Sequence, residues 1–97
     1  MAVRGNELVN GCKVRAYDNG GRSADRYTVV FMDLIDERTK NHYRPLYTCL
    51  GMSDRPFHPQ GVGMYGEACI GTHLGKRVRI ADLPAECIRA VTQDCTE

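Results

Sequence analysis

From Cys12 to Tyr17, Cys12, Val14 and Ala16 alternate with Lys13, Arg15 and Tyr17. That period of two is the mark of a half-buried strand. Asp18-Asn19-Gly20-Gly21 ends it, because Asn-Gly and Gly-Gly reach positive φ at little cost. A second strand, Arg26 to Asp33, is dense in β-branched and aromatic residues. It is apolar on both faces, which predicts a central strand covered on each side. Asp36 to Asn41 reads as a solvated hairpin loop, and Leu46 to Leu50 as a third strand completing a meander.

The pattern changes between Gly51 and Gly75. Gly51, Gly61, Gly63, Gly66, Gly71 and Gly75 fall here with Pro56 and Pro59, so no regular helix runs through the first half. Met52, Phe57, Val62, Met64, Tyr65, Ile70 and Leu74 make the stretch too apolar for disorder. It is predicted to be a long ordered loop, a kind that is usually functional. Lys76 to Ile80 reads as a fourth strand. Asp82-Leu83-Pro84-Ala85-Glu86 then opens a helix, with proline near its first position and an acid in its first turn. Leu83, Cys87, Val91 and Cys95 recur every four residues with Ile88 beside them, a stripe that docks the helix on the sheet.

These elements predict an α+β fold: a small antiparallel sheet of about four strands, one C-terminal helix on a face, and a long Gly/Pro-rich loop. Residues 1–10 show no pattern and are expected to be a loose arm or a short edge segment. The helix covers one face of the sheet. The long loop or a second subunit is left to cover the other, so a homodimer stays open.

A length of 97 residues fits one domain, 1–97. Tryptophan is absent and aromatics are 7% of the chain, so the core rests on Val, Ile, Leu, Met and Cys. The net charge of +1 supplies no global attraction to nucleic acid or membrane, and any electrostatic recognition must be local. No stretch approaches the ~18 apolar residues of a membrane span. Met1 to Glu7 lacks the apolar run of a secretory signal, so a cytoplasmic protein is expected. Five cysteines, an odd number at irregular spacing, fit free thiols in a reducing compartment better than a disulfide framework.

Candidate chemistry is sparse. Phe57-His58-Pro59-Gln60-Gly61-Val62-Gly63-Met64-Tyr65-Gly66 is the most distinctive segment: its glycines admit a close ligand, and His58 and Gln60 offer polar contacts. It also fits a packed Ω-loop, in which the glycines serve only local turns. It is not a phosphate loop, since no Gly-Lys-Ser/Thr follows. Lys76, Arg77 and Arg79, with Lys13, Arg15, Arg22 and Arg26, offer a stripe for phosphates, or merely the solvated face of a sheet. Cys69 and His73, with His42 or His58, are the only thinkable metal set, and no second close pair completes it. Asp18, Asp25, Asp33 and Glu67 are candidate acids, more typical of turns than of catalysis. No catalytic, metal or cofactor residues are therefore assigned.

Tyr17-Asp18-Asn19-Gly20-Gly21, Asp25 to Phe31, His58-Pro59-Gln60-Gly61, His73 to Arg77 and Asp82-Leu83-Pro84 resemble a family of short proteins carried by bacterial phages, prophages and plasmids. The resemblance spans roughly residues 13 to 95, departs from the family in a longer connection around Asp36 to Asn41, and brings no activity or site with it. It implies a bacterial host cell and action by binding, for example inhibition of a defence complex in the manner of an anti-CRISPR protein. The expected function is thus a non-enzymatic protein that docks on a bacterial host protein complex. Phe57, His58, Gln60, Tyr65, Lys76, Arg77 and Arg79 form its expected surface, with the aromatics as anchors. The alternative is a nucleic-acid-binding module, with Tyr17, Tyr27 or Tyr47 stacking on bases.

Overall fold

Asn10 and Gly11 both take positive φ, 50° and 87°, and this two-residue turn folds Glu7–Val9 (β1) back on Cys12–Asp18 (β2). The computed structural model describes residues 5–95. From β2 the chain meanders through Tyr27–Ile35 (β3), Tyr47–Met52 (β4) and Gly63–Ala68 (β5), each antiparallel to the last. Lys76–Val78 (β6) then returns to pair with Ala16, Tyr17 and Asp18 of β2. Among the described residues one α-helix, α1, spans Ala85–Asp94. Thus β1 and β6 share the outer edge of β2, while β5 forms the opposite, open edge.

The architecture is the expected α+β sheet with a C-terminal helix, but the sheet has six strands rather than about four. Part of the expected N-terminal arm is β1; residues 1–4 of it lie outside the described residues. The stretch from Gly51 to Gly75 is a loop only in parts: it contains the end of β4 and the whole of β5. Gly63 and Gly66 hide that strand in the sequence because glycine has low strand propensity. The strand expected over Lys76 to Ile80 stops at Val78. Ile80 instead turns its side chain into the core and donates its N–H to Glu7 Oε1 at 3.0 Å.

Both faces of β3 are covered, and by different means. On one face Val14, Ala16, Val29, Phe31, Leu50 and Met52 pack against Leu83, Cys87, Val91 and Cys95, the stripe read from the sequence. On the other, Tyr17, Val30 and Cys49 form a smaller cluster capped by Met32, Tyr47, Ala68, Ile70 and Leu74. The 51–75 stretch therefore supplies the second cover from its own chain.

Two ion pairs hold the connections. Arg26 Nε meets Asp18 Oδ1 at 2.8 Å, and Arg38 Nη2 meets Asp36 Oδ2 at 2.9 Å. The Arg26 hydrogen bond holds the Asp18 carboxyl below its usual range, and the Arg38 hydrogen bond brings Asp36 down to about 2. A depressed carboxyl stabilises the fold above its unfolded pKa, near 3.8, and loses that contribution as pH falls through the folded value. Asp18→Asn should therefore be less stable than the parent at pH 6 and converge with it near pH 2. Urea midpoints at the two pH values check this; a constant gap would contradict it.

Candidate partner-binding groove

The hairpin between β4 and β5 turns through residues 53–62. Ser53 and Val62 close it, with Ser53 N to Val62 O at 2.8 Å and Val62 N to Ser53 Oγ at 2.9 Å. Inside, His58 N bonds Arg55 O, Gly61 N bonds His58 O, and Gln60 N donates to His58 Nδ1 at 3.1 Å. The Nδ1 edge of the His58 ring is thus committed to shaping the loop, a role closer to the packed-loop reading than to ligand binding.

Phe57 folds back on the helix. Its N–H donates to Glu86 Oε1 at 3.2 Å, and the Arg89 guanidinium lies 4.3 Å from its ring centroid. These contacts hold the ring at the rim of α1 while Phe57 as a residue stays 45% exposed. Tyr65 approaches the same helix from the open edge strand. Its hydroxyl donates to the Asp94 carboxylate, and this bond, with burial, pushes the phenol up to about 12. Tyr65 as a whole stays 62% exposed.

Two depressions flank Tyr65 along α1. One, of about 160 Å3, runs between Phe57, Pro56, Met52, Leu50 and Ala90; the other, of about 260 Å3, lies against Phe31, Leu34, Cys12 and Thr48. Tyr65 and Asp94 line both, so the two form one interrupted groove between β5 and the helix. Phe57, Tyr65 and Leu34 stand along it as large exposed apolar groups. Such a cluster on a small protein is a candidate interaction surface. Asp94→Asn should bring the Tyr65 titration back toward ~10, read as tyrosinate absorbance against a Tyr65→Phe control; an unmoved transition would deny the Tyr65–Asp94 bond.

The expected surface divides here. Lys76, Arg77 and Arg79 belong to the opposite edge, four strand spacings or roughly 19 Å across the sheet from β5. Lys76 and Arg79 are exposed there. Arg77 is half-buried: its Nη2 donates to Gly5 O at 2.6 Å, and its guanidinium lies over Tyr17 at 5.5 Å. The aromatic loop and the basic strand therefore do not make one contiguous patch. Of the three tyrosines expected to stack on bases, Tyr17 is buried beneath Arg77 and Tyr27 is covered by Arg26. Tyr47 lines a cavity of about 290 Å3 with Arg15, Tyr43 and Arg44.

Elsewhere the candidate groups serve the fold. Asp18 pairs with Arg26 and accepts from Gly20 N, Asp25 accepts from Ser23 Oγ, and Asp33 accepts from Lys13 N. Glu67 and Asp25 line a shallow cavity of about 390 Å3 floored by Thr28, Cys49, Gly51 and Gly66. Cys69 Sγ lies 4.0 Å from His73 Nε2. Among the described residues no group of three or more His, Cys, Asp or Glu is arranged to hold a metal ion. Nor is any described helix long and apolar enough to cross a membrane.

Comparison with family models, with curated proteins and with solved structures finds no match to this chain. Leu34 and Asp94 are groove residues that the sequence pattern did not single out. Leu34 could have been found, as an apolar residue following the acid that was taken to close its strand. Asp94 carried no signal, because its role depends on how the β4–β5 hairpin folds over the helix.

Proposed function

We propose that this protein acts by binding, docking on a partner protein through the groove between β5 and α1. The observation that carries the reading is the line of exposed Phe57, Tyr65 and Leu34 along that groove, with Phe57 held by Arg89 and Glu86 and Tyr65 by Asp94. Aromatic side chains already fixed by their neighbours lose little freedom on binding, which is what a recognition anchor needs. The resemblance to phage- and plasmid-borne proteins supplies the setting, a bacterial cell, and favours a host defence complex as the target. Affinity capture from host lysate with the parent and with the double variant Phe57→Ala, Tyr65→Ala tests it. A stoichiometric protein partner retained by the parent and lost by the variant is expected; equal capture by both would overturn the surface.

A second reading is favoured by the cavity of Arg15, Tyr43, Arg44 and Tyr47, where Tyr43 is 97% exposed. Two cations beside two tyrosines suit a single-stranded nucleic acid, which pairs phosphates with Arg and bases with rings. On that reading, Arg44→Ala should weaken oligonucleotide binding and flatten its salt dependence, measured by fluorescence anisotropy. Binding that ignores salt would dismiss it.

A further inference from the structure

Among the described residues no strand lies beyond β5, which pairs with β4 on its inner side alone. The direction of its outer backbone groups follows from the hairpin. Ser53 N–H donates to Val62 O at 2.8 Å, so these two form a hydrogen-bonded pair one step beyond the β4–β5 register. Hydrogen-bonded and non-bonded pairs alternate along antiparallel strands. Met64 and Gly66 therefore turn their N–H and C=O groups toward β4, whereas Gly63, Tyr65 and Glu67 turn theirs outward. Edge strands are commonly blunted by proline, lysine or a bulge. β5 contains neither residue, and its register with β4 is unbroken.

We propose that β5 is a dimerisation edge, pairing antiparallel with β5 of a second copy about a two-fold axis at Tyr65. The two sheets then join into one, through the same patch on both copies. The strand is self-complementary in this register. Tyr65 faces its twin, Met64 faces Gly66, and Glu67 faces Gly63. Each large side chain away from the axis thus meets a glycine, and no like charges are opposed. It is also the register in which all three outward-facing residues find partners within the strand. Gly66 has nothing within 4 Å of its Cβ position and floors the 390 Å3 cavity on the face away from α1. Met64 of the second copy lies over that floor; in the single chain Met64 is 69% exposed. A foreign strand could satisfy the same backbone groups, but only a second copy brings this matched alternation of large and small residues. The proposal goes beyond docking through the groove, since the paired groups are backbone atoms of the sheet edge.

Sedimentation equilibrium of the full chain, kept reduced, tests the pairing. The average mass should rise from one chain toward two as the concentration approaches ~200 μM, as befits an interface this small. Gly66→Lys should remain a single chain there, because its side chain takes the place of the opposing Met64 and meets nothing in its own chain. Cross-linking with oxidised glutathione reads the register independently. Residues in a hydrogen-bonded pair have Cα atoms about 5.5 Å apart, within reach of a disulfide. Tyr65→Cys should therefore give a disulfide-linked dimer well above the parent's background. Met64→Cys stands roughly 8 Å from its twin on the diagonal and should not. A parent that stays single at ~200 μM, a Gly66→Lys variant that dimerises like the parent, or Met64→Cys linking as readily as Tyr65→Cys would each overturn the assignment.

Discussion

Gly75→Ala is expected to destabilise the protein by roughly 3 kcal/mol. Gly75 links the short turn at Thr72–Leu74 to β6 with φ at 105°, a conformation that side chains rarely adopt. A Cβ there would also meet the Asp18 carbonyl oxygen and come within 2.6 Å of the Asn19 Cα. Both neighbours are backbone, so neither can swing aside. The strain would fall on the pairing of β6 with β2 and on the seating of Arg77 over Tyr17. Gly66→Ala is the control: nothing lies within 4 Å of its Cβ position and its φ is ordinary, so a change within ~0.5 kcal/mol is expected. Urea unfolding of the two variants checks the contrast; equal midpoints would contradict the close approach at Gly75.

The second large effect concerns recognition. Phe57→Ala with Tyr65→Ala should weaken the partner complex by roughly 1,000-fold, since two anchors are each worth about 2 kcal/mol when a partner desolvates them. The melting temperature should move by only a few degrees, because both rings are largely on the surface and each gives up a single polar or cation contact. Lys76→Ala with Arg79→Ala, at the far edge, should change affinity far less. Equal losses from the two pairs, measured by calorimetry with the captured partner, would point to a footprint covering the whole sheet.

How much of this could be read from the chain differs by element. The central strand was plain, because Tyr27-Thr28-Val29-Val30-Phe31 is apolar on both faces and both are covered. The helix was equally plain, since Leu83, Cys87, Val91 and Cys95 recur at one spacing and all four are buried. By contrast, β5 pairs through its backbone along β4 while most of its side chains face water, so its hydrophobic pattern says nothing of its pairing. β1 is too short to show a period, although the Asn10-Gly11 pair that folds it back is a strong hairpin signal.

The candidate surface was half legible. Phe57 and Tyr65 stand out as aromatics within a glycine-rich stretch, and the fold aligns them along one helix. The expectation that Lys76, Arg77 and Arg79 share this surface rests on their charge, which says nothing of where the strand lies. A return strand instead carries them to the far edge, where Arg77 is spent on Tyr17 and Gly5. The return crossing over the face of the sheet leaves no hydrophobic period from which that separation could be read.

The central claim, recognition of a protein through the β5–α1 groove, is tested most directly by capturing partners from host lysate on the tagged protein, with and without nuclease. The account predicts one protein partner in stoichiometric amount that survives nuclease and is released by the Phe57→Ala, Tyr65→Ala change. Recovery that collapses with nuclease and persists in that variant would contradict it, and would move recognition to Arg15, Tyr43, Arg44 and Tyr47 on the other face of the sheet.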